Sequence, residues 1–515
     1  MRAWPLLLVL LASPAAAQQA RIGIQTETSS LDPHFALVGA NQAIARHIFE
    51  PLLGSDEAMR PAPGLTTATE VEPGLWEFRV REGAVFHDGS PVTAEDIRFS
   101  LERMPRVPNS PAPFIRLAGV TESLEIVDPR TIRLRARGGD PSVPLHAMSA
   151  WIVSAKVAEG ASSADFNTGR AAIGSGPWRF VEYRPGQHLV LARNPAFPEP
   201  PAFERATLRP IASDASRLAA LLAGDLDLID AVPPADVPRL AGRSDVAVVR
   251  SPSARMIYIG LDQGNEISPF VEARGGGRLD RNPLRDARVR EAMSIAVSRE
   301  AIVERVLSGA ARPAGQIVPE GFIGYAPDVT PPRFDPNRAR RLLAEAGYPQ
   351  GFRITLHSPN NRYVEDDKTV QAVAQMWTRI GLEARVEVMA SNVFFTRAGR
   401  REFSAFLIGF GSTAGDAFPA LSQVLASYDP QQGRGGLNRG RYLSPDFDGL
   451  IDRAATTSNA AAREEAMREA TRIAFTRDHA VIPLHFPDNV WATRAGFAYR
   501  ATMEESTLAQ NLRPR

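Results

Sequence analysis

His87 and Asp88 stand side by side, and a histidine next to a carboxylate is a pairing that general acid–base chemistry uses. The rest of a catalytic constellation does not accompany them. The chain has no H-E-x-x-H zinc helix, no G-x-S-x-G nucleophile elbow, no G-x-x-x-x-G-K-[ST] phosphate loop and no dinucleotide fingerprint. Its 8 histidines are scattered without metal-ligand spacing, and cysteine is absent, which excludes thiolate metal sites and disulfides. His87-Asp88-Gly89-Ser90-Pro91 reads instead as a turn, in which polar side chains serve the backbone. The adjacent acids Asp366-Asp367, Glu464-Glu465 and Glu504-Glu505 read as solvated groups on wet helix and tail positions. An enzyme therefore lacks support. The alternative chemistry is recognition, which needs a cleft, a few directional polar groups and aromatic walls.

The elements that must position such groups are legible along the chain. Trp76, Phe78 and Val80 alternate with Glu77, Arg79 and Arg81, the period of a half-buried strand. Thr93 opens a T-x-x-D capping box closed by Asp96, and the helix it starts stops at Pro105. Residues 124–137 form a hairpin turning at Asp128-Pro129. Residues 21–33 read as an opening strand running into a polar turn, and 40–49 as a short helix. A helix over 216–223 ends on Gly224 and feeds a strand over 225–229. The same grammar returns downstream. Asp335-Pro336 caps a helix that Gly347 stops before a strand at 353–357, and a helix over 369–380 is stopped by Gly381 before a strand at 382–389. Ser444-Pro445 begins one more helix and residues 460–477 another. Helices alternating with strands in this way belong to an α/β architecture, and 515 residues exceed one ordinary core.

Residues 1–17 read as a signal peptide, with Arg2 at the start, an apolar run over 6–11 and Ala15-Ala16-Ala17 before Gln18. Cleavage there removes the charge of Arg2 and brings the formal balance from +1 to 0, which leaves nucleic-acid binding without electrostatic support. No later segment approaches the roughly 20 apolar residues that cross a bilayer. Without a cysteine there is no acyl anchor. The expectation is a soluble periplasmic monomer of a Gram-negative cell.

Residues 48–103, IFEPLLGSDEAMRPAPGLTTATEVEPGLWEFRVREGAVFHDGSPVTAEDIRFSLER, carry a strand, a tight turn and a capped helix in one order. They resemble the signature region of the family 5 solute-binding proteins, the extracytoplasmic receptors of peptide, nickel and related ABC importers. Gly174-Ser175-Gly176-Pro177-Trp178-Arg179-Phe180, residues 283–307 and residues 436–442 follow in the order of that family. The resemblance implies a mixed α/β fold of the periplasmic-binding-protein type II kind, with two lobes, a hinge and an additional third domain. It places domain I at 18–50, 173–262 and 484–515, domain II at 51–172 and domain III at 263–483. It implies capture of a peptide or peptide-like carboxylated molecule by lobe closure and delivery to the membrane permease, with no cofactor and no resident metal. An opine-like compound or a metal chelate such as a nickel complex is the alternative ligand. A secreted hydrolase and a chaperone-like protein are the alternatives of other classes.

The resemblance also says where to look for ligand contacts. Thr28-Ser29-Ser30-Leu31 offers backbone to which an extended ligand could add as a strand, with Thr28 and Ser30 as contacts. Residues 409–416, with Phe410, Gly411, Ser412, Thr413 and Asp416, resemble a segment whose carboxylate holds a ligand ammonium in peptide-binding members. That position is Thr413 here, so the charge-assisted bond to an ammonium is missing from it. Arg362, in Asn360-Asn361-Arg362-Tyr363, lies near where dipeptide receptors place an arginine for the ligand carboxylate, and its planar fork suits one. Asn109, Phe114, Trp151 and Asn438 complete the set.

Overall fold

A computed structural model describes residues 19–110 and 116–515; the expected signal segment and Phe114 lie outside them. Among the described residues a 13-stranded sheet runs through the molecule, and a separate sheet has four strands. The large sheet has two halves. In the first, Gln19–Ile24 lies parallel to Arg205–Pro210 on one side and to Leu228–Ile229 on the other. In the second, Arg255–Leu261 runs antiparallel to Ala405–Gly411, which is parallel to Phe352–Pro359, itself parallel to Glu383–Met389.

One strand belongs to both halves. The end of Val481–Arg494 pairs with Val246–Pro252, and its beginning pairs with Arg255–Leu261. The chain therefore crosses between halves twice, at Ser253-Ala254 and in the middle of Val481–Arg494. Two such crossings are a hinge: two backbone segments can bend without breaking either core.

The cores agree with this division. Ala20, Ile22 and Leu208 of the first half share one apolar cluster with Phe78, Ile132 and Leu134 of the small sheet and Ile97 of the helix Ala94–Arg103. The small sheet and the first half thus form a single packed lobe. Met256, Phe403 and Phe447 centre a second cluster, and Ile259, Leu356 and Trp377 a third, both in the other lobe.

Local chemistry explains the elements. Thr93 accepts from the Asp96 amide while the Asp96 carboxylate accepts from the Thr93 amide, so the capping box forms in full. The hairpin turns at Asp128-Pro129 between Thr121–Asp128 and Thr131–Ala136. Gly224 adopts φ 83° at the end of Asp214–Ala223, a left-handed cap that glycine takes without strain. The strand expected over 225–229 is only Leu228–Ile229, because the amides of Asp225 and Leu226 turn back to the Ala220 carbonyl. The helix expected to begin at 369 starts at Asp366, and the one expected over 460–477 is helical over Ala460–Arg472 and then widens into a π turn. Among the described residues no helix is long and apolar enough to cross a membrane.

Candidate functional site

Strand Ala405–Gly411 ends at the hinge, register-paired with Arg255, the first residue of the crossing strand. A Cβ on Gly411 would stand 2.8 Å from Nη2 of Arg255, so a bare backbone here lets the guanidinium lie flat against the strand end. That guanidinium grips Glu505 of the C-terminal tail through Nε and Nη2, with Nη2 to Oε2 at 2.8 Å. It also stands 6.0 Å from the Tyr363 ring centroid, and Arg362 covers the same ring at 5.0 Å. The Tyr363 hydroxyl donates to the Gly409 carbonyl, which pins the ring to the strand. Two arginines thus flank one tyrosine beside residues 409–413.

A buried carboxylate shapes the loop that presents Arg362 and Tyr363. Asp366 accepts from the amides of Arg362, Tyr363 and Asp367, each at 3.0 Å. Burial pushes its carboxyl up despite these bonds. The expectation that Asp366 is solvated is corrected: it is a buried turn-former, and only Asp367 next to it faces outward. Glu504 needs the same correction, whereas Glu505 is exposed as expected and nevertheless paired. Glu504 pairs with Arg46 of the first lobe at 2.9 Å, and Glu505 with Arg255. Both lie on an irregular tail held across the hinge. The side-chain amide of Asn489 donates to the carbonyls of Thr502, Met503 and Glu504, and the Ala254 amide donates to Met503. The tail also reaches the end of the first strand, since Asp230 accepts from both Thr507 and the Gln25 amide.

The structure brings together Arg362, Phe410, Gly411 and the exposed Thr413 at this strand end. It does not bring in the others. Thr28 and Ser30 are buried, with the Thr28 hydroxyl bonded to the Ser30 carbonyl and the Ser30 hydroxyl to Asn167. The Leu31 amide is spent on Asn167, the Ser30 carbonyl also accepts from Asn41, and the Thr28 carbonyl accepts from Tyr183. The Thr28 and Ser30 carbonyls and the Leu31 amide are thus already paired, which leaves fewer backbone groups at 28–31 for a ligand to add to as a strand. Ser412 is buried with its hydroxyl on the Ala414 carbonyl. Asp416 is buried and held by Arg463 at 2.6 Å while it caps the Phe418 amide, so it braces the loop from behind.

Trp151 is fully buried, with its indole N–H on Gln42 and Arg46 over its ring at 5.8 Å. Asn438 folds its loop by bonding the carbonyls of Ala426 and Tyr442 and accepting the Tyr442 amide. Asn109 is an exposed loop residue at φ 57°, a conformation asparagine tolerates. His87 is locked in the turn expected for it, with one ring nitrogen on the Gly176 carbonyl and the other accepting from the Gly174 amide. Sequence reasoning missed Arg255, Tyr363 and Glu505. Arg255 opens an otherwise apolar strand, RMIYIGL, and that misplaced charge was the available signal.

The arrangement has guanidinium forks, an aromatic plate and a half-open carboxylate at the junction of two lobes, which suits binding of a polar ligand. Comparison with known proteins agrees. The chain is 26% identical over 482 residues to the glutathione-binding protein GsiB of Escherichia coli, covering 90% of this chain and 88% of GsiB. The fold is similar to the substrate-binding protein CtaP of Listeria monocytogenes, with a TM-score of 0.82, 20% identity and coverage of 96% and 99%. It is likewise similar to the periplasmic binding protein DppA of Helicobacter pylori in complex with the peptide STSA, with a TM-score of 0.77, 20% identity and coverage of 96% and 98%. Residues 60–432 match the middle region that defines the bacterial extracellular solute-binding proteins of family 5, and the chain belongs to that family of substrate-binding proteins, which bind peptides or small molecules and work with ABC permeases.

Proposed function

We propose that the chain is a periplasmic receptor that captures a peptide-like, carboxylated small molecule between its lobes and hands it to the permease without chemical change. The observation that carries this reading is Arg362. Its guanidinium lies on the Tyr363 ring beside the strand end at 409–413, and no acid stands within salt-bridge distance of it among the described residues. A cation held on an aromatic plate and lacking a counter-ion is a seat for a carboxylate. The two crossing strands support closure: a ligand bridging the lobes favours whichever hinge angle gives it more contacts. The three-part domain division, a monomeric state and a mature chain beginning near Gln18 belong to the same proposal.

Native mass spectrometry of protein exported by a Gram-negative host, released by gentle denaturation, identifies the cargo and the mature N-terminus. An organic acid or peptide is expected. Arg362→Ala should weaken its binding about tenfold or more in calorimetry, since a charge-assisted bond is worth about 1.5–3 kcal/mol. A cargo without an anionic group, or an Arg362→Ala protein that binds as the parent does, would sink the reading.

A further inference from the structure

Residue 413 is a threonine, so the ligand loop has no carboxylate where peptide-binding relatives were expected to carry one. The structure delivers a carboxylate to the same strand end by another route. Glu505 comes from the C-terminal tail, which Asn489 clamps across the hinge, and it lies on Arg255, whose guanidinium is pressed against Gly411. The Arg255 side chain is 17% exposed, whereas the Glu505 side chain is 45% exposed. The carboxylate therefore keeps access to solvent beyond its arginine.

Valence points the same way. A carboxylate offers about four lone-pair directions, and Arg255 uses one on each oxygen. Two directions are left for another donor. Burial works against the charge of Glu505, but Arg255 and then Arg362 outweigh it and hold the carboxyl below its ordinary range, so it is an anion at neutral pH. The charge of Arg362 is therefore felt at Glu505. One small region carries a cation that makes no salt bridge among the described residues and an anion with spare acceptor capacity.

We infer that Glu505 is a specificity residue of the binding site, receiving the cationic amine of a zwitterionic ligand whose carboxylate sits on Arg362. This rests on the receptor reading above and narrows it to molecules carrying both an amine and a carboxylate. Arg255 is a positioning residue: it fixes the Glu505 rotamer and does not itself meet the ligand.

The test uses the mature chain and four probes measured by calorimetry: glutathione, trialanine, N-acetyl-trialanine and trialanine amide. Wild type should bind glutathione or trialanine, and acetylation should weaken trialanine at least tenfold. Glu505→Gln should bring the free and acetylated probes to within twofold of each other. Glu505→Asp, which keeps the charge on a shorter arm, should retain part of the preference. Arg362→Ala should instead abolish the preference for trialanine over its amide while leaving the amine preference. A merely structural role for Glu505 would weaken free and acetylated probes alike, so an unchanged ratio in Glu505→Gln overturns the proposal, as does equal binding of both by wild type. Should Glu505→Gln unfold, the Glu505→Asp ratio decides alone, and a ratio equal to wild type counts against the proposal. Failure of all four probes while mass spectrometry finds a small organic cargo sinks the Glu505 assignment and spares the receptor reading. Failure of both sinks the two together.

Discussion

The small sheet is joined to the first half of the large sheet through a buried charge, whereas the two lobes are joined through a pair whose carboxylate, Glu505, stays half open. In the first join, Asp32 is 0% exposed and Arg103 12%, and the guanidinium bonds both carboxylate oxygens at 2.8 and 2.9 Å. Ser163 donates to the same carboxylate, and His34 bonds Arg103 with one ring nitrogen and the Trp151 carbonyl with the other. A continuous apolar cluster surrounds this network. In the second join there are the crossing strands, the tail with Glu504 and Glu505, and one small arm. The hairpin Gly54–Ser55 and Pro61–Ala62 is rooted beside Leu52 and Leu53 of the first core, yet its tip residue Met59 is 3% exposed within the core of the other lobe. In return Ala414 of the second lobe packs with the first core, and the Gly415 amide donates to the Met59 carbonyl at 2.6 Å. The lesson is that desolvation separates a fixed interface from a movable one. A fully buried ion pair cannot part without exposing two bare charges, while a few apolar contacts and a solvated pair can part and re-form.

Acid is the strongest way to break this comparison. His47, His87 and His34, all in the first lobe, are held neutral by burial with pKa values lowered to about 4. The unfolded chain takes up protons on them below about pH 6.5 and the folded chain does not, so their contribution is complete above pH 6.5 and is lost as pH falls toward 4. Each costs about 1.4 kcal/mol per pH unit across that window. Urea unfolding at pH 7 and pH 4.5 should show a loss of several kcal/mol, shared with the second lobe, where burial likewise lowers His479 to about 4 and His485 to about 3. Equal midpoints would show that these rings titrate freely.

Asp32→Ala comes next. It leaves the Arg103 guanidinium buried without its counter-ion and should cost about 3 kcal/mol or more in denaturant unfolding. A cost under 1 kcal/mol would mean that the network is wet and that the first join resembles the second.

Met59→Ala should separate the two kinds of join most cleanly. Truncating a buried methionine costs about 2 kcal/mol or more, but the contact spans the lobes, so the cost should appear as opening. Small-angle scattering should give a larger radius of gyration for the ligand-free variant and a shift back on ligand binding, with little change in the urea midpoint. A lower midpoint with unchanged scattering would make the arm part of a rigid core.

The smallest effect should come from Asp366→Ala. Three amides lose one acceptor in a loop near solvent, for about 1–2 kcal/mol of stability, and the presentation of Arg362 loosens. Calorimetry should show weaker binding carried by entropy. An unchanged affinity would mean that Tyr363 alone sets the loop.

What the sequence disclosed follows the range of the interactions. The Thr93 box, the turn at Asp128-Pro129 and the glycine stops at Gly224 and Gly347 are decided within four or five residues, so pattern alone finds them. Asp366 was misread, and the pairing of Glu505 missed, because an acid in a polar stretch shows no partner until the chain folds. The partners of Glu505 come from 250 positions away in the chain. Trp151 and Asn438 were misread for the converse reason: aromatic and amide side chains suit a cleft wall or a closed interior equally, and only the positions of Gln42 and Tyr442 decide between them.

The strand Val481–Arg494 also bears on how the protein is made. The first strand, Gln19–Ile24, waits for neighbours that lie nearly 200 residues downstream, and the two half-sheets obtain their shared member only once residues 481–494 have been made. A nascent chain that has not reached residue 481 holds two unfinished edges and no seam between them. Such late closure delays native pairing, because distant segments must meet before any reward is collected. A polypeptide that completes itself last stays threadable longest. A stop codon ahead of that strand would leave two half-sheets linked through Ser253-Ala254 but lacking the strand they share.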